Sequence, residues 1–196
     1  MLSWKIGHSL DPYIRKAARW VIRKPINPNF LTFGGLVLNG IAGILLGLGQ
    51  WFAAGWVILV AGLFDLLDGA MARNQGTVTS FGGFFDSVID RYSDFFLFLG
   101  VLAFYLRTQA GGIIVLAIVA LAGAVMVPYT RAKAETVIPK CNVGIIERAE
   151  RILILAAGAL FNWMIPALWI LATLSHFTVV HRIYYTWREL SRSETV

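Results

Sequence analysis

The sequence predicts an all-α integral membrane protein with six transmembrane helices and an amphipathic interfacial helix before them. Of its 196 residues, 58% are hydrophobic and only 14% are charged, whereas soluble chains carry about 25% charged residues. Residues 25–64 contain no charged side chain. A membrane helix needs about 20 residues, so this run holds more than one span. We expect a single membrane domain over 1–196.

The segment 11–24 predicts the interfacial helix. Asp11 and Pro12 form a helix start, with an N-cap residue followed by proline at the first helical position. Apolar residues then recur at helical spacing while basic residues occupy the other directions. This pattern is typical of a helix that lies on an anionic membrane surface. The first residues lack the apolar stretch of a signal peptide, so no cleaved signal is expected.

Polar and glycine-rich breaks divide residues 29–188 into a predicted six-helix bundle. Glycines before Trp51 separate the first two helices, Pro128 predicts a kink in the fourth, and Pro166 marks the turn before the sixth. The predicted helices are 29–48, 52–73, 81–106, 111–134, a fifth that starts near Gly144, and a sixth that ends near Arg188.

The basic residues predict the orientation. With six spans, both termini and the loops after helices two and four share one side, and that side holds 16 of the 17 Lys and Arg residues. Only Arg107 falls on the other side. The positive-inside rule makes the basic side cytoplasmic, so we expect a multi-pass plasma-membrane protein with both termini in the cytoplasm. The net charge of +6 then reflects topology and anionic lipid head groups, and no nucleic-acid partner is predicted.

Four aspartates at the cytoplasmic ends of predicted helices two and three indicate a divalent-metal site. Asp65 and Asp68 are three residues apart and Asp86 and Asp90 are four apart, so each pair shares a helix face. A short connection between the helices lets the pairs converge. Close carboxylates repel unless cations lie between them, and oxygen ligands favour Mg²⁺, Mn²⁺ or Ca²⁺. Two ions would balance the charges and suit phosphoryl transfer.

Small and basic residues accompany the aspartates. Gly69, Ala72 and Gly82 permit close approach of two helices, or of a ligand to the backbone. Arg73 can pair with a phosphate.

The pattern D-x2-D-G-x2-A-R-x8-G-x3-D-x3-D, from Asp65 to Asp90, resembles the signature of the CDP-alcohol phosphotransferases at every position. The resemblance implies an enzyme of phospholipid biosynthesis that transfers a phosphatidyl-type group from a CDP-linked lipid to an alcohol and releases CMP. It implies two Mg²⁺ or Mn²⁺ ions on Asp65, Asp68, Asp86 and Asp90, with Asp90 also the base for the acceptor hydroxyl, and it implies a homodimer. The implied contacts to the CDP-lipid are Asn29, Phe30, Leu31, Thr32, Gly69, Arg73, Thr79 and Gly82.

A group of basic residues near the cytoplasmic face suggests an anion pocket for the acceptor. Its members are Arg131, Lys133, Arg148, Arg151 and Arg182. A phosphorylated acceptor would need such a pocket, whereas a plain amino alcohol would not. The segments 129–135, 144–154 and 181–187 are similar to those of bacterial phosphatidylinositol phosphate synthases, which implies inositol phosphate as acceptor. Each basic residue alone is equally explained as a topology determinant paired with a nearby glutamate.

Other readings stay open at this point. The same chemistry with glycerol 3-phosphate or serine as acceptor fits the signature, and the donor is either an ester or an ether lipid. A divalent-cation transporter is disfavoured because all the carboxylates gather at one membrane face. A non-catalytic lipid-binding relative is disfavoured because no signature aspartate is missing. Asp94, outside the signature, is expected to pair with a basic neighbour.

Overall fold

The computed structural model describes the backbone of residues 28–75 and 79–193, and the side chains of 30–67 and 79–192. Within these ranges the chain is helical, without strands, and the predicted all-α class is confirmed. The predicted interfacial helix at 11–24 lies outside the described residues. The helices are α1 (Pro28–Gly47), α2 (Trp51–Gln75), α3 (Ser80–Arg107), α4 (Gly111–Ala134), α5 (Arg148–Leu160) and α6 (Met164–Ser193).

The fifth helix begins later than the predicted start near Gly144. The backbone of Gly144 has φ +134°, a conformation that residues with a side chain rarely adopt, so it does not belong to a helix. Glu147 is the N-cap of α5, and its side chain forms a capping box with Glu150. This reciprocal capping stabilises a start at Arg148, which the charged sequence there did not reveal.

The six helices form a closed ring of neighbours in the order α1, α2, α5, α6, α4, α3. Buried aliphatic side chains from every helix form one continuous apolar core. At one end of the ring, Arg107 Nη1 donates to the carbonyl of Gly47 at 3.1 Å, where a cation is favourable beside the helix C-terminus. Among the described side chains, the aspartates and most of the basic residues lie toward the opposite end.

The contact between α1 and α3 depends on two glycines. A Cβ atom at Gly100 would overlap the backbone of Gly43, and a Cβ at Gly43 would overlap the carbonyl of Phe96. Small residues at facing positions allow the backbones of two membrane helices to approach closely. This crossing lies below the aspartates and sets the separation of α1 from α3.

Large apolar side chains on the outer faces of the helices are exposed, among them Ile44, Phe52, Val115, Leu153 and Trp169. In water such a surface would be unfavourable, whereas in a bilayer it faces lipid tails. Three of the described helices, α1, α4 and α6, are long and apolar enough to cross a membrane by themselves. The predicted membrane fold is thus supported, while the count of six crossings stays a prediction.

The other three helices, α2, α3 and α5, are too short or too polar to qualify as membrane spans by length and composition alone. Among the described side chains of α2, the apolar stretch is Trp51–Leu67, and it already contains Asp65 near its end. The same end of α3 carries Asp86, Asp90 and Asp94. Helix α5 has 13 residues, which span about 20 Å, less than the roughly 30 Å hydrocarbon core. Polar positions at one end of these helices thus coincide with the predicted site.

Candidate active site

The centre of the site is a contact between carboxylates of α2 and α3 and an arginine of α5. Arg148 Nη1 lies 2.6 Å from Asp65 Oδ2 and 2.7 Å from Asp90 Oδ1. Two aspartates that are far apart in the sequence therefore approach the same point. The short connection between α2 and α3 brings both helix ends to one face, which is the convergence that the spacing predicts.

The polar atoms at this point are incompletely satisfied. Asp65 Oδ2 and Asp90 Oδ1 are buried, and no hydrogen-bond donor among the described residues is aligned with either, although both lie within ion-pair distance of Arg148. Buried carboxylate oxygens without donors are costly. Two such oxygens from different helices, facing one point, fit a site for a hard cation.

The other predicted metal ligands are only partly described. Asp86 lies one turn before Asp90 on the same face of α3, and its side chain is partly buried. Asp68 belongs to α2, but its side chain lies outside the described residues, as do those of Gly69 and Arg73. Among the side chains that the structure describes, no three His, Cys, Asp or Glu residues form a metal-binding group. A set of four aspartate ligands therefore stays a prediction.

Helix α1 forms one wall of the site. A Cβ atom at Gly35 would lie 2.9 Å from Asp65 Oδ1, so any larger residue there would require the carboxylate of Asp65 to shift. One turn further along, the buried side chain of Asn39 donates to the carbonyl of Gly35 at 3.0 Å. Neither residue was indicated by the sequence, because both lie in an apolar run without motif spacing.

The residues predicted to contact the CDP-lipid lie at the helix starts. Thr79 is the N-cap of α3 and accepts a hydrogen bond from the backbone N–H of Gly82 at 3.0 Å. At the start of α1, Phe30 is 76% exposed while Thr32 is buried, and Leu31 is half-buried. The side chain of Asn29 lies outside the described residues. The starts of α1 and α3 therefore lie at the same end of the bundle as the aspartates. Contact of these residues with the CDP-lipid stays a prediction.

Two of the five predicted acceptor residues contact aspartates instead of facing an empty pocket. Arg148 lies against Asp65 and Asp90, as described above. Arg151 is 4% exposed, and its Nη2 donates to Asp94 Oδ2 at 2.9 Å. The expectation that Asp94 pairs with a basic neighbour is confirmed. Asp90 also has a second cation nearby, since Arg91 Nη2 lies 3.5 Å from its Oδ2.

The other predicted acceptor residues surround the connection between α4 and α5. Arg131 is 39% exposed and contacts Glu135 and Glu147, both at 3.2 Å. Arg182 is 2% exposed. Its Nε donates to the carbonyl of Val143 at 2.8 Å, and its Nη1 donates to the carbonyl of Val127, the residue before Pro128. Lys133 is exposed. Arg182, on α6, therefore holds the connection between α4 and α5 in place through hydrogen bonds to Val143 and to Val127 of α4. The charged groups of Arg131 and Lys133 are accessible to solvent.

The contact of Arg91 with Asp90 was not predicted from the sequence, and for Asp94 only its pairing with a basic residue was predicted, not its place beside the site. Asp86, Asp90 and Asp94 follow one another at intervals of four residues, which places all three on one helix face. That periodicity was a usable signal for Asp94. No comparable signal exists for Arg91, whose direction depends on the packing of α3.

Comparison with known proteins decides the family. The model of the CDP-alcohol phosphatidyltransferase family matches residues 25–182. The chain belongs to the CDP-alcohol phosphatidyltransferase family. The match covers all six helices except the end of the last, and it includes the complete aspartate signature. The predicted resemblance and the predicted enzyme class are thereby confirmed.

Individual relatives of this phosphatidyltransferase include enzymes that are named for inositol phosphate products. The archaetidylinositol phosphate synthase of Methanothermobacter thermautotrophicus is 35% identical over 189 residues, covering 88% of this chain and 93% of the relative. The crystal structure of Mycobacterium tuberculosis phosphatidylinositol phosphate synthase with CDP-DAG bound matches with a TM-score of 0.80 and 30% identity, covering 89% of this chain and 93% of the other. The predicted likeness to phosphatidylinositol phosphate synthases is confirmed.

A further structure of the mycobacterial enzyme, in complex with manganese and citrate, matches with a TM-score of 0.78 and 30% identity. It covers 89% of this chain and 88% of the other. That relative therefore binds a divalent metal in the same fold. Together with the converging aspartates, the match supports a divalent-metal-dependent enzyme.

Proposed function

We propose that this phosphatidyltransferase transfers the phosphatidyl-type group of CDP-diacylglycerol, or of a CDP-linked ether lipid, to inositol phosphate and releases CMP. The observation that carries the proposal is the convergence of Asp65 and Asp90, from two different helices, within the family signature. One relative is named an archaetidylinositol phosphate synthase, and another is a phosphatidylinositol phosphate synthase with CDP-DAG bound, so both donor types are included.

The aspartates would hold two Mg²⁺ or Mn²⁺ ions through Asp65, Asp68, Asp86 and Asp90. Such ions neutralise the diphosphate of the donor and stabilise the departing CMP oxygen. The two buried carboxylate oxygens already lie against the guanidinium of Arg148, and this clustering of negative charge is consistent with cation binding. The second ion depends on Asp68 and Asp86.

Asp90 would act as the base. The acceptor hydroxyl oxygen attacks the lipid-side phosphorus, the bond from that phosphorus to the CMP oxygen breaks, and the hydroxyl proton passes to Asp90. A carboxylate can serve in this way when it lies within hydrogen-bond distance of the hydroxyl. Asp90 is 15% exposed, so it is shielded from bulk water yet open to a small substrate.

The donor would bind at the starts of α1 and α3. The proposed contacts to its CDP part are Asn29, Phe30, Leu31, Thr32, Gly69, Arg73, Thr79 and Gly82. Exposed apolar residues beside them, such as Phe81 and Phe84, suit a donor whose lipid chains stay in the bilayer.

The acceptor phosphate would bind among the basic residues between α4 and α5. The exposed positions Arg131 and Lys133, with Arg148 beside Asp90, are suited to direct contact. Arg151 and Arg182, which are buried and already hydrogen-bonded, would support the pocket through its framework. We also propose that this end of the protein faces the cytoplasm. The same proposal includes a homodimer.

Replacement of Arg131 by alanine tests the acceptor assignment. Loss of a charge-assisted hydrogen bond costs about 1.5–3 kcal/mol, so KM for inositol phosphate should rise about 10- to 100-fold. KM for CDP-diacylglycerol should change less than about twofold, because the donor lies elsewhere. Steady-state kinetics with each substrate varied in turn will measure both values.

The matched control is Lys140→Ala, which removes an exposed basic residue from the same connection. It should leave both KM values unchanged. Equal increases for donor and acceptor in Arg131→Ala would place Arg131 outside the acceptor pocket.

A further inference from the structure

A fifth carboxylate, Asp94, lies one helical turn beyond Asp90 and outside the family signature. Its side chain is 5% exposed, and its Oδ2 accepts the hydrogen bond from Arg151 Nη2 at 2.9 Å. Its Oδ1 lies 4.0 Å from Nε of Arg148. One buried carboxylate thus faces both arginines at the start of α5.

This arrangement joins two helices that are not neighbours in the ring. Helices α3 and α5 are separated by α1 and α2 on one side and by α4 and α6 on the other. Arginine side chains of α5 extend across to carboxylates of α3. Among the described residues, these ion pairs are the polar contacts that relate the first turn of α5 to the aspartates.

The spacing within α5 links the two arginines. Arg148 and Arg151 are three residues apart, so they project from one face of the helix. When Arg151 is held on Asp94, the rotation of the first turn is fixed. Arg148 then meets Asp65 and Asp90, as observed.

We propose that Asp94 is a positioning residue of the active site, which places the guanidinium of Arg148 against Asp65 and Asp90 by holding the first turn of α5. The proposal rests on the proposed function, in which Asp90 takes the acceptor proton. Contact with Arg148 restricts the orientation of the Asp90 carboxylate. A small misplacement of a reacting group lowers the rate by about 100-fold in unfavourable cases.

The first test compares Asp94→Asn, Arg148→Lys and the double variant in steady-state kinetics. Asp94→Asn should lower kcat about 10- to 100-fold and leave KM for CDP-diacylglycerol within about twofold. Because Asp94 acts through Arg148, the double variant should be no slower than Arg148→Lys alone. Losses that multiply, or an unchanged kcat in Asp94→Asn, would overturn the proposal.

A destabilised control separates positioning from a general loss of stability. Val101→Ala removes core packing from the same helix, about two turns beyond Asp94, where Val101 is fully buried in the apolar core. It should lower the melting temperature while kcat of the folded enzyme stays at the wild-type value. An equal fall in kcat for Val101→Ala and Asp94→Asn at equal loss of melting temperature would mean that Asp94 is merely structural.

A second pair of measurements keeps the test valid if Asp94→Asn does not fold. Removing one partner of a buried ion pair is strongly destabilising, whereas replacing both by apolar residues is often neutral. Asp94→Leu and Arg151→Met should each lower the melting temperature, and the double variant should recover most of the loss. The recovered double variant should still show reduced kcat, and wild-type kcat in it would contradict the positioning role.

The melting measurements need no substrate, so they separate the two proposals. A wild-type protein that releases no CMP with any acceptor contradicts the proposed function. Additive melting losses for Asp94→Leu and Arg151→Met would instead contradict the ion pair on which the positioning role depends.

Discussion

Replacement of Asp90 by asparagine is expected to abolish turnover while CDP-lipid binding persists. An asparagine amide occupies nearly the same volume, but it cannot accept the proton of the acceptor hydroxyl. Loss of general-base catalysis costs about 100- to 10,000-fold in rate. The structure supports this choice of base because Asp90 is largely shielded from water and lies beside Arg148 and Arg91, which hold the carboxylate in place.

The measurement is CMP release at saturating metal, combined with the rise in melting temperature that CDP-diacylglycerol produces. Ser87→Ala is a suitable control, since Ser87 lies on the same helix and its exposed hydroxyl bonds only to the carbonyl of Gly83. The control should retain wild-type kcat. An Asp90→Asn enzyme that keeps more than about a tenth of wild-type kcat would remove Asp90 from the role of base.

Replacement of Asp65 by asparagine is expected to weaken metal binding and activity together. Asp65 is held between α1 and α5, since its Oδ1 packs closely against Gly35 and its Oδ2 lies 2.6 Å from Arg148. Its position is therefore fixed, and loss of its charge cannot be replaced by a neighbouring carboxylate that moves in. Even loss of an outer partner of a metal ligand costs about 10- to 100-fold in metal affinity, so loss of a ligand should cost at least about tenfold.

Titration calorimetry with Mn²⁺ in the absence of substrate measures the affinity directly, and the metal dependence of CMP release measures its consequence. Asp68→Asn should likewise lower both the Mn²⁺ affinity and the rate of CMP release. Glu189→Gln is the control, because it removes an exposed carboxylate of α6 that lies beside Arg192 and outside the aspartate cluster. Unchanged Mn²⁺ affinity in Asp65→Asn, with activity lost, would show that Asp65 acts in some other way than as a ligand.

The sequence predicted the helix bounds well where glycine residues interrupt an apolar run. Glycine at 47 and 49 ends one helix before the next begins, and the observed bounds of α1 to α4 follow the prediction closely. It failed at the start of α5, because Glu147 and Glu150 resemble the interior of a charged helix turn. Only their reciprocal capping hydrogen bonds distinguish an N-cap from the first turns of a helix.

The candidate site was predictable as a set of residues but only in part as a set of contacts. Spacing places Asp65 and Asp90 at adjacent helix ends, and the structure brings them to one point. The three-residue spacing of Arg148 and Arg151 predicts that both lie on one face of α5. It does not predict which helix that face contacts. Tertiary packing directs Arg151 to Asp94 and Arg182 to backbone carbonyls, so two arginines predicted for the acceptor are committed to the framework.

The central claim is metal-dependent transfer to inositol phosphate, and CMP release tests it most directly. Purified protein in detergent would receive CDP-diacylglycerol and Mg²⁺ or Mn²⁺, with inositol phosphate, inositol, glycerol 3-phosphate and serine supplied separately. A CDP-linked ether lipid would be tested in parallel. We expect CMP release with inositol phosphate alone, and none after chelation of the metal. Release with glycerol 3-phosphate or serine but not inositol phosphate, or release that survives chelation, would contradict the account.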